Sequence, residues 1–336
     1  MRKISAVTAA LLLWVANQEV KAQVDPHFTQ YYIYPGWLNP GLTGAFDGDY
    51  RITGIYRNQW SGISNAFSTP GISADVNTGK NLSLGMNVMN QTAGSGGYNY
   101  LNGYLSVAYN GIRFGQNGEQ IISIGLSGGV INRKFNPAKF NYGSQWNGTG
   151  YDPTLPGNET LTKTSAMAAD MGAGVVYYDS APDKKVNFFG GFSAFHLNQP
   201  QDPFLGEGFK TKLPIRYTIH GGAKIFLSET LTAVPNLLYM KQGNAEEKMA
   251  GGYLQIMVND VTDLLVGANY RFKDAAAPYV GVFYNGFTLS ASYDVNTSDL
   301  GSIAGTTKAG NFEVALSFIA PKNKKLSRAY FTCPRL

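Results

Sequence analysis

The chain has 336 residues, of which 15% are charged and 13% are aromatic, and it holds 40 glycines but a single cysteine. Disordered chains are typically charged and poor in aromatic residues, and a disulfide framework needs paired cysteines, so both classes are excluded. The formal net charge is +5, and because part of it lies in the first 22 residues, the remainder is too weak to predict nucleic-acid binding.

The chain begins with the three parts of a secretory signal peptide. Arg2 and Lys3 form a basic start, residues 4–16 an apolar stretch, and residues 20–22 a small-residue cleavage site. The apolar stretch is too short for a membrane-spanning helix, which needs about 20 residues. We therefore predict that residues 1–22 are removed during export.

Residues 23–49 contain many aromatic side chains together with Pro26, Pro35 and Pro40. Proline cannot donate to a sheet ladder, so this segment does not fit the strand pattern that follows it. We predict an ordered, non-sheet segment. If the strands that follow close into a barrel, the segment would plug that barrel or cover its periplasmic mouth. The alternative is a flexible periplasmic leader, which the aromatic content disfavours.

From residue 50 onwards, apolar and polar residues alternate with a period of two, which is typical of strands with two unlike faces. Ile52 and Tyr56, for example, alternate with Arg51 and Arg57. The weakest match to the pattern is the ninth segment, which contains Pro235. The predicted strands cover residues 50–60, 67–77, 81–90, 98–110, 119–134, 167–178, 185–196, 214–227, 230–241, 248–258, 261–272, 278–284, 286–294 and 311–319.

The connections that follow even-numbered strands differ in length from those that follow odd-numbered strands. After even-numbered strands they are mostly tight, with residues 110–118 as the exception. Several connections after odd-numbered strands are long, notably 135–166, 197–213 and 295–310. Bacterial outer-membrane barrels have short periplasmic turns and long outer loops. The sequence therefore predicts a transmembrane, antiparallel, up-and-down β-barrel of about 14 strands in the outer membrane.

In this prediction, residues 50–320 form the barrel and residues 321–336 a periplasmic tail. A soluble β-sandwich is the alternative, since it too has many short alternating strands. The length of the strands, the two-sided loop lengths and aromatic residues at strand ends, such as Tyr50, Trp60 and Tyr178, favour the membrane barrel.

Fourteen strands enclose more space than the side chains of an eight-stranded barrel can fill, so something is expected to occupy the lumen. Alternation also places charged side chains inside. They could hold the N-terminal segment or guide a substrate segment, or they could simply pair across a wet lumen. These lumenal charges are Arg51, Arg57, Arg133, Asp170, Lys224, Asp263 and Arg271.

Patterns for catalysis and metal binding were not found in the sequence. The three histidines, His27, His196 and His220, are far apart and have no carboxylates at metal-ligand spacing. Nucleophile elbows, phosphate-binding glycine loops and H-E-x-x-H are also missing. We therefore predict that the protein is not an enzyme and has no catalytic, metal or cofactor residues.

An ordered set of short motifs resembles the PorP/SprF-like membrane proteins of the type IX secretion system. Shorter matches include Tyr293-Asp294 and the stretch of residues 213–217. The chain departs from the family at two positions: it has Gly41 where the family usually has alanine, and Phe312 where the family usually has histidine. The N-terminal motif holds Asp25, Pro26, His27, Phe28, Gln30, Tyr31, Asn39 and Pro40, and the loop motif holds His196, Leu197, Asn198, Gln199 and Pro200.

The resemblance implies a non-enzymatic accessory that helps to export or surface-anchor a cargo adhesin, in some members for gliding motility. The partners it implies are outer-membrane lipid, the type IX translocon or the C-terminal domain of the cargo, and a periplasmic peptidoglycan-binding protein. One alternative stays open, a FadL-like transport barrel for hydrophobic small molecules, because fourteen strands with an N-terminal plug also describe fatty-acid channels.

Overall fold

A computed structural model describes residues 25–60, 66–94, 97–115, 117–156, 164–201, 212–297 and 311–320. Fourteen antiparallel strands form one closed barrel, in which each strand pairs with its neighbours in sequence and β1 pairs with β14. The predicted fold class is thus confirmed. The predicted signal peptide and the tail, 321–336, lie outside the described residues.

The strands are β1 Tyr50–Gln59, β2 Phe67–Asn77, β3 Leu82–Ala93, β4 Tyr98–Phe114, β5 Gln120–Lys134, β6 Ser165–Asp179, β7 Val186–Phe195, β8 Arg216–Phe226, β9 Leu231–Gln242, β10 Ala245–Asn259, β11 Thr262–Arg271, β12 Ala275–Tyr284, β13 Phe287–Asn296 and β14 Asn311–Ile319. We call the end at which odd-numbered strands finish the long-loop rim, and the opposite end the short-turn rim. The loop-length rule predicts that the long-loop rim faces the cell exterior.

In this sheet, apolar side chains are exposed on the outer face, and polar and charged side chains are buried on the inner face, the reverse of a water-soluble protein. Ile52 is 45% exposed on the outside, whereas its neighbours Arg51 and Thr53 are buried on the inside. Such a continuous apolar exterior suits contact with lipid, and closure of the sheet pairs the backbone groups that lipid cannot satisfy. Among the helices of the described ranges, none has the length and apolar character needed to cross a membrane.

One local expectation on the wall of the barrel was wrong. The predicted long connection 110–118 is short, because β4 continues to Phe114 through an irregular pairing between Tyr109 and Ile112. A bulge of this kind breaks the alternation while the strand goes on. Of the two aromatic residues at the end of β6, Tyr178 is buried and faces the lumen, whereas Tyr177 stacks on Phe114 outside.

The ninth strand exists, and its poor alternation has a structural reason. Pro235 faces outwards, and the pairing of β8 with β9 is interrupted beside it. On the inner face, Val234 and Leu238 join the buried apolar cluster that also contains Tyr31. Because this face contacts the N-terminal part of the chain and not water, apolar residues stand among its polar ones, and the alternation is blurred.

Residues 25–49, called the lumenal segment from here on, lie inside the barrel. Short helices at Tyr31–Ile33, Pro35–Leu38 and Pro40–Leu42 fold the segment, and two of them begin at a proline, whose missing N–H needs no partner there. Nearly every residue from 25 to 46 is buried. At the short-turn rim, Asp49 donates its amide hydrogen to the carbonyl of Ala320, next to the end of β14.

Candidate functional site

Four sets of polar contacts connect the lumenal segment to the barrel wall. In the first, Arg57 of β1 binds Asp294 of β13 (Nη2–Oδ2 2.8 Å) and Glu313 of β14 (Nη1–Oε2 3.0 Å). It also donates to the Thr29 hydroxyl at 2.7 Å. The amides of Thr29 and Gln30 donate to the two carboxylate oxygens of Glu313, at 2.9 and 2.6 Å. Both carboxylates are therefore paired, although all three charged groups are buried.

The same network continues to β10 and β11. Arg271 is a second guanidinium on Asp294. His27 lies between Arg57 (Nη2–Nε2 3.3 Å) and Glu247 of β10 (Nδ1–Oε2 3.6 Å). Burial, together with the positive charges of Arg57 and Arg271, lowers the pKa of His27 well below its ordinary value. The neutral ring can therefore accept a hydrogen bond from Arg57 through Nε2.

The second set fixes the start of the lumenal segment near the long-loop rim. His196, the first residue after β7, lies between Asp25 (Nε2–Oδ2 2.8 Å) and Asp170 of β6 (Nδ1–Oδ2 2.8 Å). Arg216, at the start of β8, donates to Asp25 at 3.1 Å and to the carbonyl of Trp37 at 2.8 Å, and its guanidinium stacks on the indole ring of that residue.

The charges of this second set support one another. Burial disfavours the charged ring of His196, but the carboxylates of Asp25 and Asp170 outweigh it and raise the pKa of His196 to about 9. Burial likewise disfavours the charged form of Asp25, yet His196 and Arg216 hold the pKa of its carboxyl well below the usual range. At neutral pH, a protonated histidine therefore donates to a carboxylate on each side.

The remaining residues of the loop motif shape the turn that positions His196. The backbone of His196 has φ +60° and that of Gln199 has φ +44°, both in the left-handed region. Leu197 donates its amide hydrogen to Met171 on β6, and the side chain of Asn198 donates to the carbonyl of Ala169 at 2.7 Å. Pro200 accepts a hydrogen bond from the amide of Leu213 across the loop.

The third set lies at the short-turn rim. Arg51 of β1 forms a two-pronged contact with Asp75 of β2, at 3.0 and 2.8 Å, and donates to the carbonyl of Leu42 at 3.1 Å. Asp75 also accepts from the amide of Gly44 at 2.8 Å. The end of the lumenal segment is thus fixed by a buried ion pair between adjacent strands.

In the fourth set, Asn39 joins the middle of the lumenal segment to the wall. Its amide nitrogen donates to the carbonyls of Val175 (3.2 Å) and Phe192 (3.1 Å), and its oxygen accepts from the amide of Gly41 at 2.8 Å. Its amide nitrogen also lies 3.1 Å from Nε2 of His220. A side chain from inside the lumen therefore binds backbone carbonyls of both β6 and β7.

Inward-facing glycines allow this close approach. A Cβ added to Gly125 of β5 would lie 2.2 Å from the carbonyl carbon of Pro40, and one added to Gly174 of β6 would lie 2.0 Å from Oδ1 of Asn39. Real Cβ atoms do not approach so closely, so any side chain at these positions displaces the lumenal segment. Gly128 faces outwards, and a Cβ there meets nothing within 4 Å.

All seven lumenal charges named from the sequence are buried inside the barrel. Arg51, Arg57, Asp170 and Arg271 belong to the contacts described above. Of the others, Arg133 stacks on the ring of Tyr100 (5.1 Å), Lys224 lies 4.9 Å from the ring centroid of Phe226, and Asp263 accepts from Gln255 at 2.7 Å.

The N-terminal motif residues lie at the wall or within the packed interior. Tyr31 donates to Asn236 of β9 at 2.9 Å, the ring of Phe28 packs edge-on against Tyr34 and Trp37, and Pro26 is buried. Within the described residues, no group of three His, Cys, Asp or Glu side chains is placed to hold a metal ion.

Five charged partners were missing from the sequence-based set: Asp75, Arg216, Glu247, Asp294 and Glu313. Alternation within the predicted strands places Asp75, Arg216, Asp294 and Glu313 inside, whereas Glu247 lies just before the predicted strand 248–258. Arg216 and Asp294 also belong to the motif stretches 213–217 and 293–294.

The family model for "Type IX secretion system membrane protein PorP/SprF" matches residues 20–318. The chain belongs to this family. Membership in the PorP/SprF family confirms the resemblance seen in the motifs and, with the closed barrel, the outer-membrane localisation. It also assigns the chain to type IX secretion. A comparison with curated proteins gave no match.

Among solved structures, this PorP/SprF protein is similar to other outer-membrane barrels. The toluene transporter TbuX of Ralstonia pickettii is 11% identical, with 84% of this chain and 92% of that chain covered and a TM-score of 0.48. The toluene transporter TodX of P. putida is 10% identical, with coverages of 85% and 93% and a TM-score of 0.48. The KdgM porin is 10% identical, with coverages of 80% and 98% and a TM-score of 0.36. Nothing about a substrate follows from similarities this distant.

Proposed function

We propose that this protein is a non-enzymatic accessory that binds a cargo adhesin, through its C-terminal secretion domain, or the type IX translocon. In this role it helps to export the adhesin or to anchor it at the cell surface, and gliding motility is one process it would serve. Family membership supports the role in secretion. The observation that favours binding over conduction is the buried lumenal segment, which leaves the outer surfaces and loops for a partner.

In this proposal the lumenal segment is a permanent plug. Its contacts lie near both rims and at the middle of the barrel: Asp25 at the long-loop rim, Asn39 between, and Gly44 at the short-turn rim. Removing one partner of a buried ion pair typically costs about 3–5 kcal/mol. Asp25 forms such a pair with His196 and Arg216, and hydrogen bonds hold the segment at Asn39 and Gly44, so its spontaneous release would be rare.

The alternative, transport of hydrophobic small molecules, requires an apolar pocket in the lumen. One small cavity, lined by Ile131, Arg133, Met167 and Leu213, has a volume of about 10 Å³, which holds about one water molecule. Residues 25–46, nearly all of them buried, occupy the lumen, so transport is the less favoured function for this barrel.

Deletion of the gene, combined with purification of the tagged protein from detergent-solubilised outer membrane, tests the proposal. We expect a translocon component or a protein with a type IX C-terminal domain to co-purify, and at least one such protein to disappear from the cell surface of the deletion strain. A periplasmic peptidoglycan-binding partner would be recovered in the same purification. Purification without any of these partners, together with normal surface display, would contradict the proposal.

A further inference from the structure

Beyond the long-loop rim, the connection between β5 and β6 folds into a small hairpin of its own. Trp146 and Tyr151 pair as an isolated antiparallel bridge. The hairpin continues by one hydrogen bond from the amide of Asp152 to the carbonyl of Gln145 at 2.8 Å. Residues directly opposite one another in an antiparallel pair direct their side chains to the same face. The indole and phenol rings therefore lie side by side on one face of the hairpin.

Polar side chains hold the backbone of this hairpin in place. The Asn147 side chain accepts hydrogen bonds from the amides of Thr149 (3.0 Å) and Gly150 (2.9 Å), which closes the turn. On the other face, the buried side chain of Gln145 accepts from the amide of Tyr142 and donates to the carbonyl of Leu155, each at 3.0 Å. The two rings are thus presented by a preorganised element.

The rings of the hairpin are exposed, whereas other aromatic side chains of the same loop pack together and are half-buried. Trp146 is 61% and Tyr151 is 45% exposed. In contrast, Phe135 and Phe140 pack together with ring centroids 5.5 Å apart, and Tyr142 packs edge-on against Phe140. Large rings kept in contact with solvent on a rigid loop are typical of an interaction surface.

We propose that Trp146 and Tyr151 form the docking surface for a folded, exported protein whose contact patch is apolar and uncharged. Between residues 140 and 156 the sequence has a single charged residue, Asp152, so the surface lacks the basic groups that phosphate-bearing lipids or nucleic acids require. Trp and Tyr are enriched among the residues that dominate protein interfaces, and Gly, Asn, Ser and Thr beside them are typical of loops that bind proteins. The inference rests on the proposed function in taking the partner to be a secreted protein.

A photo-crosslinking amino acid at Thr149, in the living strain that carries the full chain, tests this surface. We expect an adduct with a secreted protein that bears a type IX C-terminal domain, identified by mass spectrometry. The double variant Trp146→Ala with Tyr151→Ala should lower the adduct yield at least tenfold. The variant Trp60→Ala is the matched control, because it removes another exposed indole at the same rim and should leave the yield unchanged.

The possible outcomes separate this surface from the proposed function. An adduct only with polysaccharide or lipid, or an undiminished protein adduct in the double variant, would overturn the docking surface. Surface display of the adhesin in the deletion strain is a separate measurement, and normal display there would overturn the proposed function instead. A heat-induced shift in gel mobility reports whether each variant has folded as a barrel, so loss of folding is not mistaken for loss of docking.

Discussion

Arg57 shows at the scale of one residue how this protein keeps charges inside a membrane barrel. Its guanidinium pairs with two buried carboxylates from different strands and with a hydroxyl of the lumenal segment. Each charge is acceptable there only because its partners are present, since an unpaired charge in such a place is very costly. Side chains of this kind therefore determine whether the lumenal segment stays in place.

Replacement of Arg57 by methionine should lower the free energy of unfolding by about 3–5 kcal/mol, because Glu313 would lose its arginine partner while remaining buried. Urea unfolding in lipid vesicles measures the change. Arg113→Met is the control, because Arg113 is exposed at the end of β4, and a change within about 0.5 kcal/mol is expected there. Equal effects of the two substitutions would show that the buried network is not a source of stability.

The charge of His196 makes the stability of the folded barrel depend on pH. Its pKa is raised to about 9 in the folded chain, so the stabilisation it provides is complete below its ordinary value of about 6.5 and is lost as the pH rises through 9. The shift corresponds to about 3 kcal/mol. We expect the free energy of unfolding, measured with urea, to be higher for the wild-type protein than for His196→Gln at pH 6. The difference between the two proteins should narrow by pH 10. A gap independent of pH would contradict a charged His196.

At the scale of the element, the strands were predictable because their two faces meet different surroundings. Alternation gave fourteen strands of nearly the right extent, and it failed where the surroundings change: in β9, whose inner face contacts the lumenal segment, and at the bulge of β4. The site was only half predictable. The odd or even position of a residue along its strand predicts that its charge lies inside the barrel, but not which partner it meets there. Thr29, for example, binds Glu313, which is 284 residues away in the sequence.

Gly125 provides a test at this scale, because β5 and the lumenal segment approach each other there without room for a side chain. Gly125→Ala should lower the free energy of unfolding by about 1–3 kcal/mol, the usual range for overpacking. Gly128→Ala, on the outer face of the same strand, has open space and should be nearly neutral. Urea unfolding of both variants gives the comparison, and similar losses would mean that the substitutions act on the strand and not on the contact with Pro40.

For the whole molecule, the closed wall and the filled lumen belong together. A fourteen-stranded barrel is wide enough to conduct unless something occupies it, and here residues 25–49 cross the lumen with contacts near both rims. A protein built in this way presents its loops, rims and lipid-facing surface to other proteins. That architecture suits the proposed binding function, and its PorP/SprF membership points to a role in type IX secretion.

Single-channel recording of the purified mature protein in a planar lipid bilayer tests most directly the claim that the barrel is sealed and works by binding. We expect no steady conductance for the wild-type protein, and brief openings when the lumenal segment is loosened by Gly125→Ala. A steady, open channel in the wild-type protein would contradict a sealed barrel, because a lumen filled by residues 25–49 should leave no continuous path for ions.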